Sequence, residues 1–265
     1  MNAPVSELKT EFQELLHAHT CTVTDSMKFK RDAQFEMLPK LTRQKANSYT
    51  VFDMNEGRYV FHSSAHAKWL NAPCIEVDRQ DNTGLLYELT HPDDLSNVLK
   101  NKLKGFSDLM KLQAEERRDF SFRYLSRIKD NKGGYQLYIH CVSVMLCDEK
   151  DIPWLILIVT ERLPECCCNE KCMADIYDLL PLIDYSKSLN KNNLYLSAHH
   201  LRILGMVYDG LNQHQIASNL NISPDTIRGH YTLIRKKLNI QSILMASIYA
   251  KIIGLMNVFL ICLYL

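Results

Sequence analysis

Apolar residues recur three and four positions apart in four successive stretches between about residues 196 and 256, which predicts four helices. The first begins after Ser197 and ends at Gly210, residue types that favour a helix N-cap and the position after a helix. The second runs from Gln213 to Leu220, and a brief polar connection separates it from the third. A short helix, a tight turn and a further helix predict a helix-turn-helix.

The third of these helices is predicted to have one apolar face and one basic face. It begins with Ser223 as N-cap and Pro224 at the first helical position, where the missing N–H costs nothing. The apolar face comprises Ile227, Tyr231, Ile234 and Leu238. The opposite face carries Asp225, Arg228, Thr232, Arg235 and Lys236. Such a helix can anchor itself on one side and enter the major groove of DNA with the other.

This region strongly resembles the LuxR/NarL type of DNA-binding domain, in one unbroken register over roughly the last quarter of the chain. The matching residues are Leu196-Ser197, Gly210-Leu211, Gln215-Ile216-Ala217, Leu220, Ile222-Ser223, Thr226-Ile227-Arg228, His230, Ile234 and Lys237-Leu238. The chain departs from the family at two places. His199, His200 and Arg202 stand where acidic residues are usual, and Gly229 stands where a larger residue often contacts a base.

The resemblance implies a DNA interface on the third helix. Arg228, Gly229 and Thr232 occupy its base-facing positions, and an arginine can pair with guanine O6 and N7. The phosphate-contact candidates are Ser223, Thr226, His230, Arg235, Lys236 and Lys237. Phosphate contacts position a protein on DNA but carry no sequence information.

The distribution of charge agrees with DNA contact through one end of the chain. Residues 194–265 contain six Lys and Arg against two Asp, whereas the rest of the chain contains 25 basic and 28 acidic residues. A basic end on a mildly acidic body is typical of a protein that contacts nucleic acid locally.

The residues before this region follow a different pattern, with alternation that predicts strands. Ser48 to His62 reads as a hairpin, and Phe120 to Lys129, Tyr135 to Leu146 and Ile152 to Thr160 read as three antiparallel strands. Short helices are predicted at Ala65 to Leu70 and at Gly84 to Leu89, and a longer helix begins at Pro92. An α+β domain with one sheet is therefore expected.

That order of elements resembles a PAS sensor domain. His91-Pro92-Asp93-Asp94 is similar to a common helix start of the family, and Arg127 to Tyr138, with Asp130, Gly133 and Gly134, is similar to its later hairpin. Such domains bind many ligands or none, so the fold does not name the signal. A haem would need an axial ligand among His62, His66, His91, His140, Cys74 and Cys141, and nothing in the sequence selects one.

Three further segments are ambiguous. The first 45 residues, amphipathic and mostly helical, suit an arm packed on the next domain or a dimer helix. Adjacent cysteines in 166–172 could hold a metal or respond to oxidant, but their spacing favours reduced linker thiols. The apolar run after Lys251 has 14 residues, against about 20 needed to cross a bilayer, which favours burial over membrane anchoring.

The predicted fold class is α+β: a PAS-like antiparallel sheet with helices on one face, plus a separate all-α four-helix helix-turn-helix domain. The predicted domains are a helical arm at 1–45, a PAS-like sensor at 46–162, a linker at 163–193 and the LuxR-type domain with an apolar tail at 194–265. No phosphate loop, zinc-protease motif or nucleophile elbow is visible, so no catalytic residue, metal site or cofactor is assigned.

The predicted function is that of a bacterial-type, sequence-specific transcription regulator whose sensor domain controls dimer and DNA engagement. The expected partners are double-stranded DNA, a second copy of the chain and a small-molecule ligand, without a membrane. The start of the chain has no signal-peptide pattern, and a cytoplasmic protein is expected. The alternatives are a haem, redox or small-molecule sensor with protein–protein output, and a membrane-tethered regulator.

Overall fold

The structure, a computed structural model, describes residues 4–42, 47–63, 83–130, 133–163 and 196–256. The chain divides into two compact units, Met1–Leu163 and Pro164–Tyr264. The predicted domain limits lie near residues 45, 162 and 193. Each falls in or beside a segment that the structure does not describe, so these limits stay predictions. The predicted helix at 65–70, the cysteine-rich segment at 166–172 and the tail from residue 257 also lie outside the described residues.

In its described ranges, the first unit consists of two helices, two strands, three helices and three strands in that order, and the strands form one sheet. Its elements are α1 (Val5–Ala18), α2 (Asp25–Thr42), β1 (Ser48–Asp53), β2 (Arg58–His62), α3 (Thr83–Leu89), α4 (Pro92–Lys111), α5 (Ala114–Arg117), β3 (Ser121–Lys129), β4 (Tyr135–Cys147) and β5 (Pro153–Arg162). The predicted strands are confirmed to within a few residues. The short helix α5 carries no apolar stripe and was not predicted.

The sheet is antiparallel, with strand order β2-β1-β5-β4-β3. The last three strands form the predicted meander. The central strand β5 also pairs with β1, with Thr50 opposite Ile158, and so joins the early hairpin to the meander. This order, with α3 to α5 inserted between β2 and β3, is the PAS-like arrangement that the sequence predicted.

One face of the sheet packs against α1 and α4. Phe52 and Ile156 contribute to this core from the sheet, and the ring centroids of Phe12 in α1 and Phe106 in α4 are 5.7 Å apart. Of the two roles left open for the N-terminal arm, α1 therefore takes that of packing on the sensor domain. On the other face, α2 packs with the ring centroid of Phe35 5.5 Å from that of Phe61. The expectation that helices lie on only one face of the sheet is therefore wrong for α2.

The start of α4 joins this helix to β3. His91 caps it, because its ring accepts a hydrogen bond from Asp93 N, and Pro92 stands at the first helical position as predicted. The Asp94 carboxylate is buried and accepts hydrogen bonds from the backbone N–H of Arg127 at 2.7 Å and from its guanidinium. The sequence indicated only a capping role for this motif, whereas Asp94 forms an ion pair between two elements.

The second unit contains α6 (Ala198–Tyr208), α7 (Gln213–Leu220), α8 (Pro224–Leu238) and α9 (Ile243–Ile252). Side chains that accept a hydrogen bond from a backbone N–H cap all four of these helices, namely Ser197, Asn212, Ser223 and Ser242. The predicted starts are confirmed. The last helix ends at Ile252, and the chain turns two residues later at Gly254 with φ +77°. No helix in the described ranges is long and apolar enough to cross a bilayer.

Candidate nucleic-acid interface and sensor cavity

A cavity in the first unit lies between α3, α4 and the face of the sheet that packs against α1 and α4. Its lining residues, which come from all five strands and both helices, enclose about 420 Å³ including the space open to solvent. An adjoining space of about 310 Å³ shares Tyr59, Tyr87 and Lys102 with it and reaches Phe12 of α1.

His140 forms the polar wall of the cavity. Its Nε2 is hydrogen-bonded to the Ser126 hydroxyl at 2.8 Å and its Nδ1 to the Thr160 hydroxyl at 3.0 Å. Its ring stacks on Tyr124 with centroids 4.5 Å apart and planes 15° from parallel. Because both ring nitrogens have protein partners, this histidine serves as a structural wall in the conformation seen.

The other candidate haem ligands have varied surroundings. His62 and Cys141 are buried, and His91 caps α4. His66 and Cys74 lie outside the described residues. Within the described ranges, no group of three or more His, Cys, Asp or Glu side chains is arranged to hold a metal ion.

The turn between α7 and α8 sets the position of the predicted recognition helix. Asn221 adopts a left-handed conformation with φ 54°, and Ile222 N donates to Ala217 O at 3.1 Å, which reverses the chain. Gln213 Nε2 donates to Pro224 O at 2.6 Å and so joins the starts of the two helices. The turn is therefore fixed by backbone and side-chain hydrogen bonds together.

The burial of α8 follows its predicted faces. Ile227 and Ile234 are fully buried, while Tyr231 and Leu238 are half-buried. The three base-facing candidates, Arg228, Gly229 and Thr232, are all exposed. A Cβ added at Gly229 would meet no atom within 4 Å, so the middle of the exposed face presents bare helix backbone.

Arg228 pairs only loosely with its neighbour. Its guanidinium lies 3.3 Å from the Asp225 carboxylate, and the two side chains are 71% and 84% exposed. Exposed pairs of this kind contribute at most about 1 kcal/mol. If Arg228 gave up this ion pair to contact the edge of a base, the loss of free energy would therefore be small.

The phosphate-contact candidates divide into two groups. Ser223 and Thr226 are exposed at the start of α8, where the Ser223 hydroxyl accepts from Thr226 N at 3.1 Å, and Lys236 and Lys237 are exposed near its end. Arg235 instead turns back on its own unit, donating to Tyr231 O at 3.3 Å and to Gln241 O at 3.4 Å. Arg235 thus has a structural role at the end of α8 in addition to the predicted one.

His230, the remaining candidate, belongs to a group of three histidines. Its ring centroid is 4.8 Å from that of His199 and 5.5 Å from that of His200, both at the start of α6. Burial lowers the pKa of His200, as do Lys237 and the two other histidines. Burial and His199 lower the pKa of His230. The predicted phosphate contact thus lies beside two further ionisable rings.

The sequence of this region matches the family of bacterial regulatory proteins, luxR family, over residues 194–250. Residues 194–250 are a LuxR-family helix-turn-helix domain. The match spans α6 to α8 and most of α9, and so includes the whole helix-turn-helix. None of the curated proteins compared with the chain matches it.

Solved structures similar to this chain include two VqmA proteins. A complex of phage VqmA with DPO is 13% identical, covers 86% of this chain and 91% of its own, and has a TM-score of 0.33. A Vibrio cholerae VqmA dimer in the absence of target DNA is 12% identical, with coverages of 83% and 86% and a TM-score of 0.34. A light-oxygen-voltage domain studied with a flavin analogue is 14% identical, with coverages of 55% and 96% and a TM-score of 0.38.

One exposed residue of the LuxR-family domain was missed by the sequence analysis. Leu233 is 49% exposed in the middle of α8, one turn after Gly229. Its position outside the buried stripe was visible in the helical periodicity, but a leucine is normally assigned to a core. The exposed face of α8 therefore combines basic, small and apolar groups.

Proposed function

We propose that the protein is a sequence-specific DNA-binding transcription regulator in which the PAS-like unit senses a small molecule. The observation that carries this proposal is α8, which is anchored in a LuxR-family domain by Ile227 and Ile234 and presents an exposed basic face. A rigid helix of this kind fits the major groove, and base contacts come from the N-terminal part of the helix.

In this proposal, Arg228, Gly229 and Thr232 face the bases. Arg228 donates to a guanine, while the bare backbone at Gly229 allows close approach of the helix to the groove. Leu233 adds an apolar contact of the type made with a thymine methyl group. The proposed phosphate contacts are Ser223, Thr226, His230, Arg235, Lys236 and Lys237.

The sensing role rests on the cavity between the sheet and α4. A ligand that binds one arrangement of the chain more tightly than another shifts the population towards that arrangement. Because Phe12 of α1 lines the adjoining space, a ligand there would bear on the N-terminal helix as well as on the sheet. We propose that this shift controls whether two copies engage DNA together.

The site of action follows from the proposed partner. DNA and a second copy of the chain are the macromolecular partners, and a DNA target requires access to the cytoplasm of a bacterial cell. The proposed activity is binding rather than catalysis, since its chemistry consists of hydrogen bonds and ion pairs with DNA and of ligand capture in the cavity.

Binding-site selection from a random duplex library tests this function directly. Full-length protein should enrich a defined sequence with two related halves, and its affinity should fall steeply as salt rises. The control is the Arg228→Ala/Lys237→Ala double variant, which should enrich its sequence more weakly and lose the preference at one base pair of each half. Recovery of an unselected library by the wild type would refute sequence-specific recognition, and it would favour a sensor whose output is a protein contact.

A further inference from the structure

Lys102 occupies an unusual place in the first unit. It lies in α4 and is only 6% exposed, on the boundary between the two spaces of the cavity. Its ammonium group is 5.1 Å from the ring centroid of Tyr87 and 5.9 Å from that of Tyr124. Burial lowers the pKa of Lys102 to about 8, so the side chain is still mostly protonated at neutral pH.

No counter-ion lies beside Lys102 among the residues that the structure describes. Among the described residues that line the two spaces, Lys102 is the one charged side chain, and none is Asp or Glu. Other charged residues of α4 differ, since Lys104 pairs with Asp108 in solvent and Asp94 pairs with Arg127. A buried charge normally has an ionic partner, because its transfer from water is costly.

The ring contacts compensate this cost only in part. A cation over an aromatic face gains less free energy than the desolvation of an ammonium group costs. An anion brought into the cavity would supply the missing partner. The ion pair with Lys102 would also offset the cost of desolvating the anion, and a neutral molecule of the same shape could not form this pair.

The chemistry of the lining residues narrows the class of anion that would fit the cavity. One lysine matches a single negative charge, so a phosphate dianion would bring a second charge with no partner among the lining residues. The rings of Tyr87 and Tyr124 lie beside the amine, and Tyr59 also lines the cavity. Flat aromatic molecules pack well against such rings. The polar wall at Ser126 and His140 can face a further polar substituent.

We propose that the cavity binds a small aromatic carboxylate whose anionic group pairs with Lys102. This inference rests on the proposed sensing role of the PAS-like unit and specifies the class of its ligand. Pairing with a carboxylate opposes the effect of burial and raises the pKa of Lys102. Binding near pH 8 should therefore be coupled to the uptake of about half a proton from the buffer.

The test uses full-length protein and three pairs of compounds: benzoate and benzamide, nicotinate and nicotinamide, indole-3-carboxylate and its carboxamide. Calorimetry at pH 8 in two buffers of different ionisation enthalpy gives both the affinity and the proton uptake. The variant is Lys102→Met, which fills the space with an apolar chain. The matched control is Lys104→Met, two residues away and exposed on the same helix.

At least one carboxylate should bind wild type and Lys104→Met with proton uptake, and should bind Lys102→Met about tenfold more weakly or worse. The matching carboxamide should bind the wild type about tenfold more weakly than the carboxylate does, or worse. The inference is overturned if no carboxylate binds, if Lys102→Met binds as well as wild type, or if the carboxamide equals the acid. In the last case the cavity still accepts a ligand, and DNA selection tests the regulator role independently.

Discussion

Arg228 and Lys237 carry the same charge on the same helix, but at different distances from its start. Arg228 lies in the second turn of α8, whereas Lys237 lies in the last, and both are exposed. Arg228→Ala should cost roughly 1–3 kcal/mol on the best DNA site and relax specificity at one base pair. Binding assays on the selected site and on its single-base variants measure both effects.

Lys237→Ala is expected to act differently, because a phosphate contact carries no sequence information. It should weaken binding to all sequences alike and reduce the slope of log affinity against log salt by about 1. Titrations at several salt concentrations provide the measurement. The base-reading role of Arg228 would be wrong if its variant lost affinity equally on every sequence.

Asp94 allows a prediction about stability. Its side chain is 3% exposed and pairs with Arg127, whose side chain is 17% exposed, so the substitution removes the buried negative charge beside the guanidinium. Asp94→Asn should lower the free energy of unfolding by roughly 3 kcal/mol. Urea denaturation of the full chain measures this change.

The neighbouring Asp93 provides the control for this experiment. Its side chain is 79% exposed and lies 3.8 Å from the Arg127 guanidinium. Asp93→Asn should change the stability by less than about 0.5 kcal/mol. Equal losses in the two variants would mean that the motif acts only as a helix cap.

At the scale of the element, α6 begins with a histidine where the LuxR family usually has an acid. His200 takes part in a capping box with Ser197, and Lys237 and two histidines lie close enough to lower its pKa. A glutamate at the same position would keep the capping box, suit the helix dipole and attract Lys237. His200→Glu should therefore raise the stability by about 1 kcal/mol at pH 7.

The same group of residues predicts a pH dependence. The pKa values of His200 and His230 are lower in the folded chain than the ordinary 6.5, chiefly because of burial. The unfolded chain thus binds protons first as the pH falls, and stability should decrease below about pH 6.5. Thermal unfolding at pH 7.5 and 5.5 should show a smaller decrease for His200→Gln than for wild type; an equal decrease would contradict this role.

The helices of the second unit were predictable because their signals are local. Capping residues such as Ser197 and Asn212 lie directly before the helices that they start, and the apolar spacing of α8 gives its buried face directly. The surroundings of the phosphate-contact candidates were less predictable. The hydrogen bonds of Arg235 to Tyr231 and Gln241 depend on how the chain turns after α8.

The features missed in the first unit depend on contacts between distant residues. The pairing of β1 with β5 joins segments about 100 residues apart, and no local pattern specifies it. Lys102 is different, because it lies four residues after Val98 and four before Phe106, on the buried stripe of α4. The periodicity indicated its burial, but a lysine is normally assigned to solvent unless a partner is evident.

At the scale of the whole molecule, the proposed regulator needs two copies on one DNA site. One recognition helix contacts only a few base pairs, and paired helices read half-sites whose centres lie about 10–10.5 base pairs apart or at multiples of that spacing. Full-length protein should therefore bind its selected site as two chains per duplex. Native mass spectrometry of the complex measures this stoichiometry.

The spacing of the half-sites then tests whether the two copies act together. Insertion of five base pairs turns one half-site by about half a helical turn, so that the two α8 helices can no longer face their targets at once. The affinity should fall to that of a duplex with a single half-site, which serves as the control. Insertion of ten base pairs restores the facing and should restore more binding than five does. Undiminished affinity after the five-base-pair insertion would mean that each copy binds alone, and control by dimer arrangement would then fail.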